Sequence, residues 1–319
     1  MTPGTLLDTV LDRSVVLGYS KVGLAARRRL PDWPDDPAPD ALRGRSAMVT
    51  GATSGLGTAT AAGLARLGAR VHLVVRNMEK GERVLASLRA ECPGAEFALW
   101  RCDVSDLEDV RRFAGSFRAE EERLDVLVHN AGVMPPDRAE TPQGHEVAVA
   151  THLLGPVAMT EALRPVLGGG RAVLVSSGGM YAQRLHAEDP EYRVGEYSGT
   201  AAYARTKRMQ IELLPVLSAR WSADGIDVHA MHPGWADTPG IRDSLPGFHR
   251  LTGRLLRDGD EGADTSIWLA ATEPAPRSGQ FWHDRRPRPT NLLPWTRVDE
   301  DQRARLWQWC VDALGLSTP

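Results

Sequence analysis

Residues 46–67 constrain the fold more than any other stretch of the chain. Residues 46–50 form an apolar segment typical of a short strand, and a glycine-rich run from Gly51 to Gly57 follows directly. Residues 58–67 are alanine-rich and helical in pattern. Glycines permit a tight turn and a close backbone approach to a ligand, and the helix N-terminus then offers free N–H groups to a phosphate. This order predicts a dinucleotide-binding unit.

The alternation of strand and helix continues along the chain. Further strands are predicted at residues 70–75, 95–101, 124–129, 171–176, 226–231 and 279–283, with helical patterns at 106–122, 142–167, 199–221 and 261–271. Such alternation favours a parallel sheet with crossover helices. We expect an α/β fold with a Rossmann-type, doubly wound, seven-stranded parallel sheet and helices on both faces. One catalytic domain at 44–283 would carry an N-terminal arm and linker (1–43) and a C-terminal helical tail (284–319).

The end of the second strand bears on the choice of cofactor. A carboxylate there would bind the adenosine ribose hydroxyls and repel a 2′-phosphate, but Val75 is followed by Arg76 and Asn77. A guanidinium suits a phosphate, so we expect NADP(H) in preference to NAD(H). Thr53 and Ser54 could add hydroxyl contacts. Alternatively, Arg76 is a solvated turn residue.

Other strand ends carry polar residues where ligands bind in such sheets. Asp103 follows the third strand and could accept a hydrogen bond from the adenine amino group, cap the next helix, or do both. Asn130 follows the fourth strand, where its amide could tie strand ends together, and Ser177 follows the fifth. The cofactor-binding residues predicted from the glycine-rich turn and the strand ends are Gly51, Thr53, Ser54, Gly55, Leu56, Gly57, Arg76, Asp103, Val104, Asn130, Ala131 and Gly132.

Tyr203 and Lys207 are the candidate proton-transfer pair. They lie four residues apart in a predicted helix, so both side chains project from one face. A fixed ammonium beside a phenol favours the phenolate and would lower the pKa of the tyrosine, which could then exchange a proton with a carbonyl oxygen. In isolation such a pair is usually exposed. A serine hydrolase is disfavoured because the chain has no Gly-x-Ser-x-Gly elbow.

Composition excludes several other classes. The net charge of −3 argues against nucleic acid as the main partner. Cys92, Cys102 and Cys310 show no metal or redox spacing, which favours a reducing, cytoplasmic location. His229 and His232 would point to opposite faces of a strand, so no metal site is expected. No signal peptide or membrane-spanning run is predicted.

The two ends of the chain leave alternatives open. Apolar positions between Leu6 and Val15 follow helical spacing, and a basic cluster, Arg27 to Arg29, comes later. Residues 1–30 could make peripheral contact with a membrane, or pack on their own domain or on a neighbouring subunit. In the tail helix, Leu306, Trp309, Cys310 and Ala313 share a face that would cover the core or a subunit partner.

Together these motifs resemble the short-chain dehydrogenase/reductase family over about residues 44–283. The matching residues are Thr50-Gly51-x-x-x-Gly55-x-Gly57, Asp103, Asn130-Ala131-Gly132, Ser177, Tyr203-x-x-x-Lys207 and Pro233-Gly234-x-x-x-Thr238. The resemblance implies that Tyr203 is the acid in carbonyl reduction or the base in alcohol oxidation. It implies that Lys207 holds the nicotinamide ribose and lowers the tyrosine pKa, that Ser177 orients the substrate oxygen, and that Thr238 binds the carboxamide. It also suggests a homo-oligomer.

One position departs from the family pattern. Family members carry an asparagine three residues before a glycine in the helix that precedes the fifth strand, and counting back from Gly155 places His152 there. The family's asparagine holds a water that relays protons to the lysine. With an ordinary pKa near 6.5, His152 could hold that water, relay a proton itself, or mark a weakened relay.

The resulting prediction is an NADP(H)-dependent oxidoreductase acting on a small lipophilic carbonyl or secondary alcohol. The apolar preference rests on Met180, Tyr181, Trp235 and Phe248, which would line the substrate pocket or belong to the core. Residues 239–258 would form a mobile lid or an ordinary surface loop. The alternative is a non-catalytic dinucleotide-binding partner protein, associated or not with a membrane.

Overall fold

The computed structural model describes residues 3–237, 247, 250 and 252–317 and centres on one eight-stranded sheet. The strand order is β3-β2-β1-β4-β5-β6-β7-β8. The first seven strands pair in parallel, and the eighth pairs antiparallel to β7. The strands are β1 Ser46–Thr50, β2 Arg70–Val75, β3 Phe97–Arg101, β4 Val126–His129, β5 Arg171–Val175, β6 Asp227–Met231, β7 Gln280–His283 and β8 Arg286–Pro287.

Helices cover both faces of the sheet. They are α1 Pro3–Arg13, α2 Val15–Gly18, α3 Lys21–Arg27, α4 Gly55–Arg66, α5 Met78–Glu91, α6 Leu107–Glu120, α7 Val147–Val149, α8 Gly155–Leu167, α9 Gly199–Trp221, α10 Gly259–Ala271 and α11 Glu300–Leu314. One apolar core contains residues of α6, α8, α9 and α11, and the other contains residues of α4, α5 and α10. The central strands β4 and β5 are fully buried, as their Val- and Leu-rich sequences require when both faces are covered.

The strand order creates a switch point beside β1. The chain runs outward from β1 through β2 to β3 and then returns to place β4 on the other side of β1. The connections that leave β1 and β4 therefore lead away in opposite directions along the sheet and leave a crevice at the carboxyl ends of the strands. The turn after β1 is tight: Gly51 has φ +66°, and a Cβ there would lie 2.8 Å from the Cα of Ala131.

The predicted fold class is confirmed, with two differences in detail. The sheet has an eighth strand, because the segment assigned to the tail turns back and pairs with β7. Residues 142–167 become helical only at Val147 and contain a π-helical turn, Ala150–Leu154, in front of α8. Helix α9 has its predicted bounds, Gly199–Trp221.

The terminal segments pack on the sheet domain. In α11, Leu306 and Cys310 are fully buried against the core, as the prediction of a covering face requires. The arm forms three short helices, where one was predicted. Its Arg27 is fully buried and bonds to Asp8 at 2.8 Å and to Asp284 at 2.6 Å.

The outward side of the arm carries apolar side chains that are about half exposed, namely Leu7, Val10, Leu17 and Val22. None of the helices in the described part of the chain has the length and apolar content needed to cross a bilayer. Peripheral membrane contact and homo-oligomer formation stay predictions. Most of the predicted lid, 239–258, lies outside the described residues.

Asp284 is the central anion of the buried network that joins the arm to the domain. It is 1% exposed and accepts bonds from Arg257 at 2.6 and 2.9 Å and from Arg27 at 2.6 Å. Burial acts to raise the pKa of this carboxyl, yet His283 and the two arginines together hold it well below its usual value. The carboxylate is therefore charged, and its removal would take the carboxylate partner from the buried Arg257 guanidinium and leave Arg27 paired with Asp8 alone among the described residues.

We expect Asp284→Asn to lower the free energy of unfolding by about 3–5 kcal/mol at pH 7, because one member of a buried ion network is neutralised. The carboxylate's contribution is fully present above the unfolded-state pKa of about 3.9 and declines as the pH falls below that value. Urea denaturation at pH 7 and pH 3 measures both effects.

Asp40→Asn is the matched control. Asp40 also has a positive φ, 58° against 51° for Asp284, and also bonds an arginine, but its side chain is 52% exposed. This variant should keep the wild-type denaturation midpoint. Equal effects of the two substitutions would show that the buried network does not contribute as described.

Candidate active site

A cavity of about 380 Å³ lies at the switch point, along the carboxyl ends of the strands. Its lining includes most of the predicted site residues: Gly51, Thr53, Ser54, Gly55, Leu56, Arg76, Asp103, Val104, Asn130, Ala131, Gly132, Ser177, Tyr203, Lys207, Pro233 and Gly234. Gly57 lies behind the turn, where a Cβ would meet the Gly51 carbonyl oxygen at 2.3 Å. Thr238 lies outside the described residues. The motifs, which are spread over 184 residues of sequence (51 to 234), therefore form one site.

The turn after β1 is joined to the end of β4 by the Asn130 side chain. Its amide nitrogen donates to the carbonyl oxygens of Thr50 at 3.0 Å and Gly51 at 3.2 Å. In return, the Thr50 hydroxyl accepts from the backbone N–H groups of Asn130 and Ala131 at 3.0 and 3.1 Å. The amide thus ties the strand ends together, as predicted.

The first turn of α4 faces the same cavity. Ser54 is the N-cap residue of α4, but its side chain makes no capping bond. The first N–H groups of the helix have no intrahelical acceptor, and they coincide with the positive end of the helix dipole. This cradle fits the phosphates of a dinucleotide.

The adenosine end of the site contains two cations. The Arg76 guanidinium is 67% exposed and lies 3.8 Å from the Asp103 carboxylate. Lys80, on α5, lines the same part of the cavity, although sequence reasoning missed it. Lys80 lies in the first turn of α5, four residues after Arg76. The sequence could have indicated it only if Asn77 had been recognised as the N-cap of that helix.

The proposed capping role of Asp103 is wrong. Asp103 accepts instead from the backbone N–H and the hydroxyl of Ser105, at 3.0 and 2.6 Å. The cap of α6 is Asp106, which accepts from the N–H groups of Glu108 and Asp109. One Asp103 carboxylate oxygen thus holds the local turn, and the other faces Arg76.

Ser177, Tyr203 and Lys207 lie together at the other end of the cavity. Ser177 follows β5, and its hydroxyl oxygen accepts from the Gly179 N–H at 3.2 Å and hydrogen-bonds the Tyr203 phenol. Lys207 donates from Nζ to the Val175 carbonyl oxygen at 2.7 Å. Its Nζ lies 5.6 Å from the centre of the Tyr203 ring. The serine and tyrosine oxygens thus converge where a substrate oxygen would sit.

Burial dominates the electrostatics of this end. It raises the pKa of the Tyr203 phenol, and the hydrogen bond with Ser177 acts in the opposite direction. It lowers the pKa of Lys207 to about 7. The expected lowering of the tyrosine pKa by Lys207 is not found, because burial disfavours the charged form of both groups. At neutral pH the phenol therefore keeps its proton.

His152 lies behind the cavity wall, in the π-helical turn. Its Nε2 accepts from the Val133 backbone N–H at 3.0 Å, so in the neutral ring the proton is on Nδ1, which lies 2.8 Å from the Thr206 hydroxyl. The ring meets the Tyr203 ring edge-on, with 5.3 Å between centroids. Burial first, and then the charge of Lys207, lowers the pKa of this histidine well below 6.5.

Both nitrogens of His152 are thus bonded within the protein, and the ring stays neutral. This geometry disfavours the water-holding and proton-relay roles that the sequence left open. It favours a structural role in which the His152 ring acts as a strut, a hydrogen-bonded link between the segment after β4 and the helix that carries Tyr203. Thr206, its partner on that helix, was not identified from the sequence.

Comparisons with known proteins identify the family of this chain. A family model described as short chain dehydrogenase matches residues 45–246. The Bos taurus protein "Dehydrogenase/reductase SDR family member 12" is 40% identical over 281 residues, which cover 86% of this chain and 86% of that relative. The chain belongs to the short-chain dehydrogenase/reductase family. The resemblance inferred from the motifs is therefore confirmed, and with it an oxidoreductase.

Two further members of the family are similar to this chain. "Retinol dehydrogenase 11" of Mus musculus is 32% identical over 286 residues, covering 86% of this chain and 88% of that relative. A crystal structure of a Beutenbergia cavernae protein, with NADP bound at low occupancy, superposes with a TM-score of 0.61 at 26% identity. The superposition covers 76% of this chain and 96% of the Beutenbergia cavernae chain.

Three of the four apolar residues expected to line the substrate pocket of this short-chain dehydrogenase/reductase do not line the cavity. Met180 and Tyr181 are buried in the core, and the Tyr181 hydroxyl donates to the Pro289 carbonyl oxygen at 2.7 Å. Trp235 packs on Tyr19 rather than on the cavity, and Phe248 lies outside the described residues. The apolar lining includes Leu56, Val104 and Ala131, which were predicted to bind the cofactor, and also Val133, Met134 and Ala236, which the sequence did not indicate.

We expect Thr206→Val to lower the free energy of unfolding of this enzyme by about 1–3 kcal/mol, because the His152 Nδ1–H group would be buried without an acceptor. Urea denaturation measures the change. Thr60→Val is the control, since Thr60 is equally buried and its hydroxyl has no hydrogen-bond partner within the described chain. Identical losses in the two variants would contradict the strut role of His152.

Proposed function

We propose that this short-chain dehydrogenase/reductase is an NADP(H)-dependent oxidoreductase that interconverts a lipophilic carbonyl compound and the corresponding secondary alcohol. One observation carries the proposal: the Ser177, Tyr203 and Lys207 side chains and the phosphate cradle of α4 line one continuous cavity. When bound, the nicotinamide cofactor supplies or accepts the hydride, and the protein's residues manage the proton and the orientation of the substrate.

The residues at the reacting end have complementary tasks. Tyr203 keeps its proton at neutral pH and would donate it to the carbonyl oxygen in reduction, or receive it in oxidation. Ser177 would hold the same oxygen with its hydroxyl and stabilise the charge that develops there. Lys207 would hold the ribose next to the nicotinamide, with its Nζ fixed by the Val175 carbonyl oxygen.

Arg76 and Lys80 support the preference for NADP(H). Both line the adenosine end of the cavity, and the strand that ends there is not followed by an acid. A 2′-phosphate would meet two cations there. The nearby Asp103 carboxylate lies 3.8 Å from the Arg76 guanidinium, which offsets its negative charge. The similar structure with NADP bound supports the same choice.

A lipophilic substrate is supported by the cavity lining and by the relatives. Val133, Met134 and Ala236 give the lining an apolar character. A relative named retinol dehydrogenase 11 acts on a lipophilic alcohol by its name, so retinoids belong in any substrate panel. The other reading, a non-catalytic dinucleotide-binding protein, would not need the convergence of Ser177 and Tyr203.

The central experiment measures NADPH oxidation with aliphatic, aromatic, steroid and retinoid carbonyls for the wild type and Tyr203→Phe. We expect the variant to lose about 10²- to 10⁴-fold in kcat, because only the proton-transferring hydroxyl is removed. Its dissociation constant for NADPH should stay within about twofold of wild type.

Tyr192→Phe is the matched control, since the Tyr192 hydroxyl donates to the Glu196 carbonyl oxygen in an exposed loop. It should keep full activity. Tight NADPH binding without turnover of any carbonyl by the wild type would instead favour the non-catalytic reading.

The cofactor preference is tested with Arg76→Gln. We expect KM for NADPH to rise about tenfold or more, since a charge-assisted bond to the phosphate is lost, while KM for NADH stays unchanged. Arg83→Gln is the control, because Arg83 lies on α5, which follows Arg76, and pairs with Glu79 on its exposed side. Equal changes for the two cofactors would contradict the role of Arg76.

A further inference from the structure

The N-terminal arm lies outside the matched family model, which starts at residue 45, yet it contacts two loops of the active site. One loop, residues 177–182, follows β5 and begins with the catalytic Ser177. The other, residues 232–237, follows β6 and contributes Pro233 and Gly234 to the cavity. The arm reaches both loops through Tyr19, which is 2% exposed.

The Tyr19 ring contacts both loops where they approach each other. A Cβ on Gly178 would lie 2.8 Å from Tyr19 Cε2, so the ring packs directly on the backbone next to Ser177. The ring also meets His232 edge-on at 4.6 Å and Trp235 at 6.4 Å between centroids. The Tyr19 carbonyl oxygen accepts from the Trp235 backbone N–H at 2.8 Å.

Arg257 joins the arm to the loop at residues 232–237 by hydrogen bonds. Its guanidinium donates to the carbonyl oxygens of Gly18 and Ser20 in the arm, at 3.3 and 3.4 Å, and to that of Pro233 at 3.1 Å. The joint is closely packed: a Cβ on Gly234 would lie 2.6 Å from the Arg257 Cζ and 2.7 Å from the Tyr19 carbonyl oxygen. Arm and loop therefore have little room to shift independently.

We propose that Tyr19 is a positioning residue for the active site: its ring fixes the spacing between the Ser177 loop and the Pro233–Gly234 loop. The inference rests on the proposed function, because these loops face the substrate oxygen and the cofactor only if the cavity is used in that way. The arm thus acts as a buttress of the catalytic site.

The ring of Tyr19, rather than its hydroxyl, performs this task. The hydroxyl oxygen is buried and has no hydrogen-bond partner among the residues that the structure describes. Removing it should therefore be tolerated, whereas removing the ring opens a gap between two loops whose relative position sets the reacting geometry. A displacement of about 1 Å at a reacting centre costs on the order of 10²-fold in rate.

The experiment compares Tyr19→Ala and Tyr19→Phe in the full chain, with Tyr19→Leu as a second variant if the alanine form does not fold. We expect Tyr19→Ala to lower kcat and to raise the NADPH dissociation constant, each about tenfold or more, whereas Tyr19→Phe behaves as wild type. Hydrogen exchange should become faster at the backbone amides of residues 177–182 and 232–237 in Tyr19→Ala alone.

Leu42→Ala separates positioning from general stability. Leu42 lies in the linker between the arm helices and β1 and is fully buried. It packs in the apolar core on one face of the sheet, whereas Tyr19 packs in the core on the other face. This variant should lower Tm while leaving kcat, NADPH affinity and exchange in the two loops unchanged. Parallel changes in Leu42→Ala and Tyr19→Ala, or wild-type kinetics and exchange in Tyr19→Ala and Tyr19→Leu, would overturn the proposal.

The readouts also distinguish this proposal from the function on which it rests. If the wild type reduces no carbonyl, the proposed function fails, and the exchange rates and NADPH affinity of the Tyr19 variants still decide whether the arm positions the loops. If the wild type is active and the Tyr19→Ala loops exchange as in wild type, the positioning role alone is lost.

Discussion

The close approach of two backbone turns determines where this protein can bind a ligand. Gly51 and Ala131 lie so close that a Cβ on the glycine would clash with the Ala131 backbone. The Asn130 amide nitrogen donates to the carbonyl oxygens of Thr50 and Gly51 and so joins the two turns. Because β1 and β4 are locked at this point, the helix after β1 starts with its N–H groups facing the crevice. The strand that follows each subsequent helix then adds its end to the same edge.

The reacting end illustrates how burial sets chemistry. Tyr203, Lys207 and His152 lie close together, and burial disfavours the charged form of each. The histidine responds by staying neutral with both nitrogens bonded, and the tyrosine by keeping its proton. The neutral His152 ring holds the helix that carries Tyr203 in place through its bond to Thr206. Because the ring is uncharged, it does not repel the nearby Lys207 ammonium.

The sequence was sufficient for the sheet and for the residues around the cavity, because both depend on local patterns. β1 and β2 match their predicted bounds, since an apolar run between polar residues or glycines defines a strand by itself. β8 was missed because two residues carry no periodicity. The bond of His152 to Thr206 and the contacts of Tyr19 depend on residues more than 50 positions away, which no local pattern records. Likewise, Met180 and Tyr181 are apolar enough for pocket or core, and only the packing decides.

The buried network of the arm has a consequence for the order in which the molecule assembles. Arg27 bonds to Asp284, 257 positions later, and Asp8 bonds to Arg288, 280 positions later. A ribosome adding about 5–20 residues per second completes those partners on the order of ten seconds to a minute after the arm has been made. The arm is therefore made long before the residues that fix its final position, and the active-site loops that it supports acquire their full set of contacts only after residues 284–288 have been synthesised.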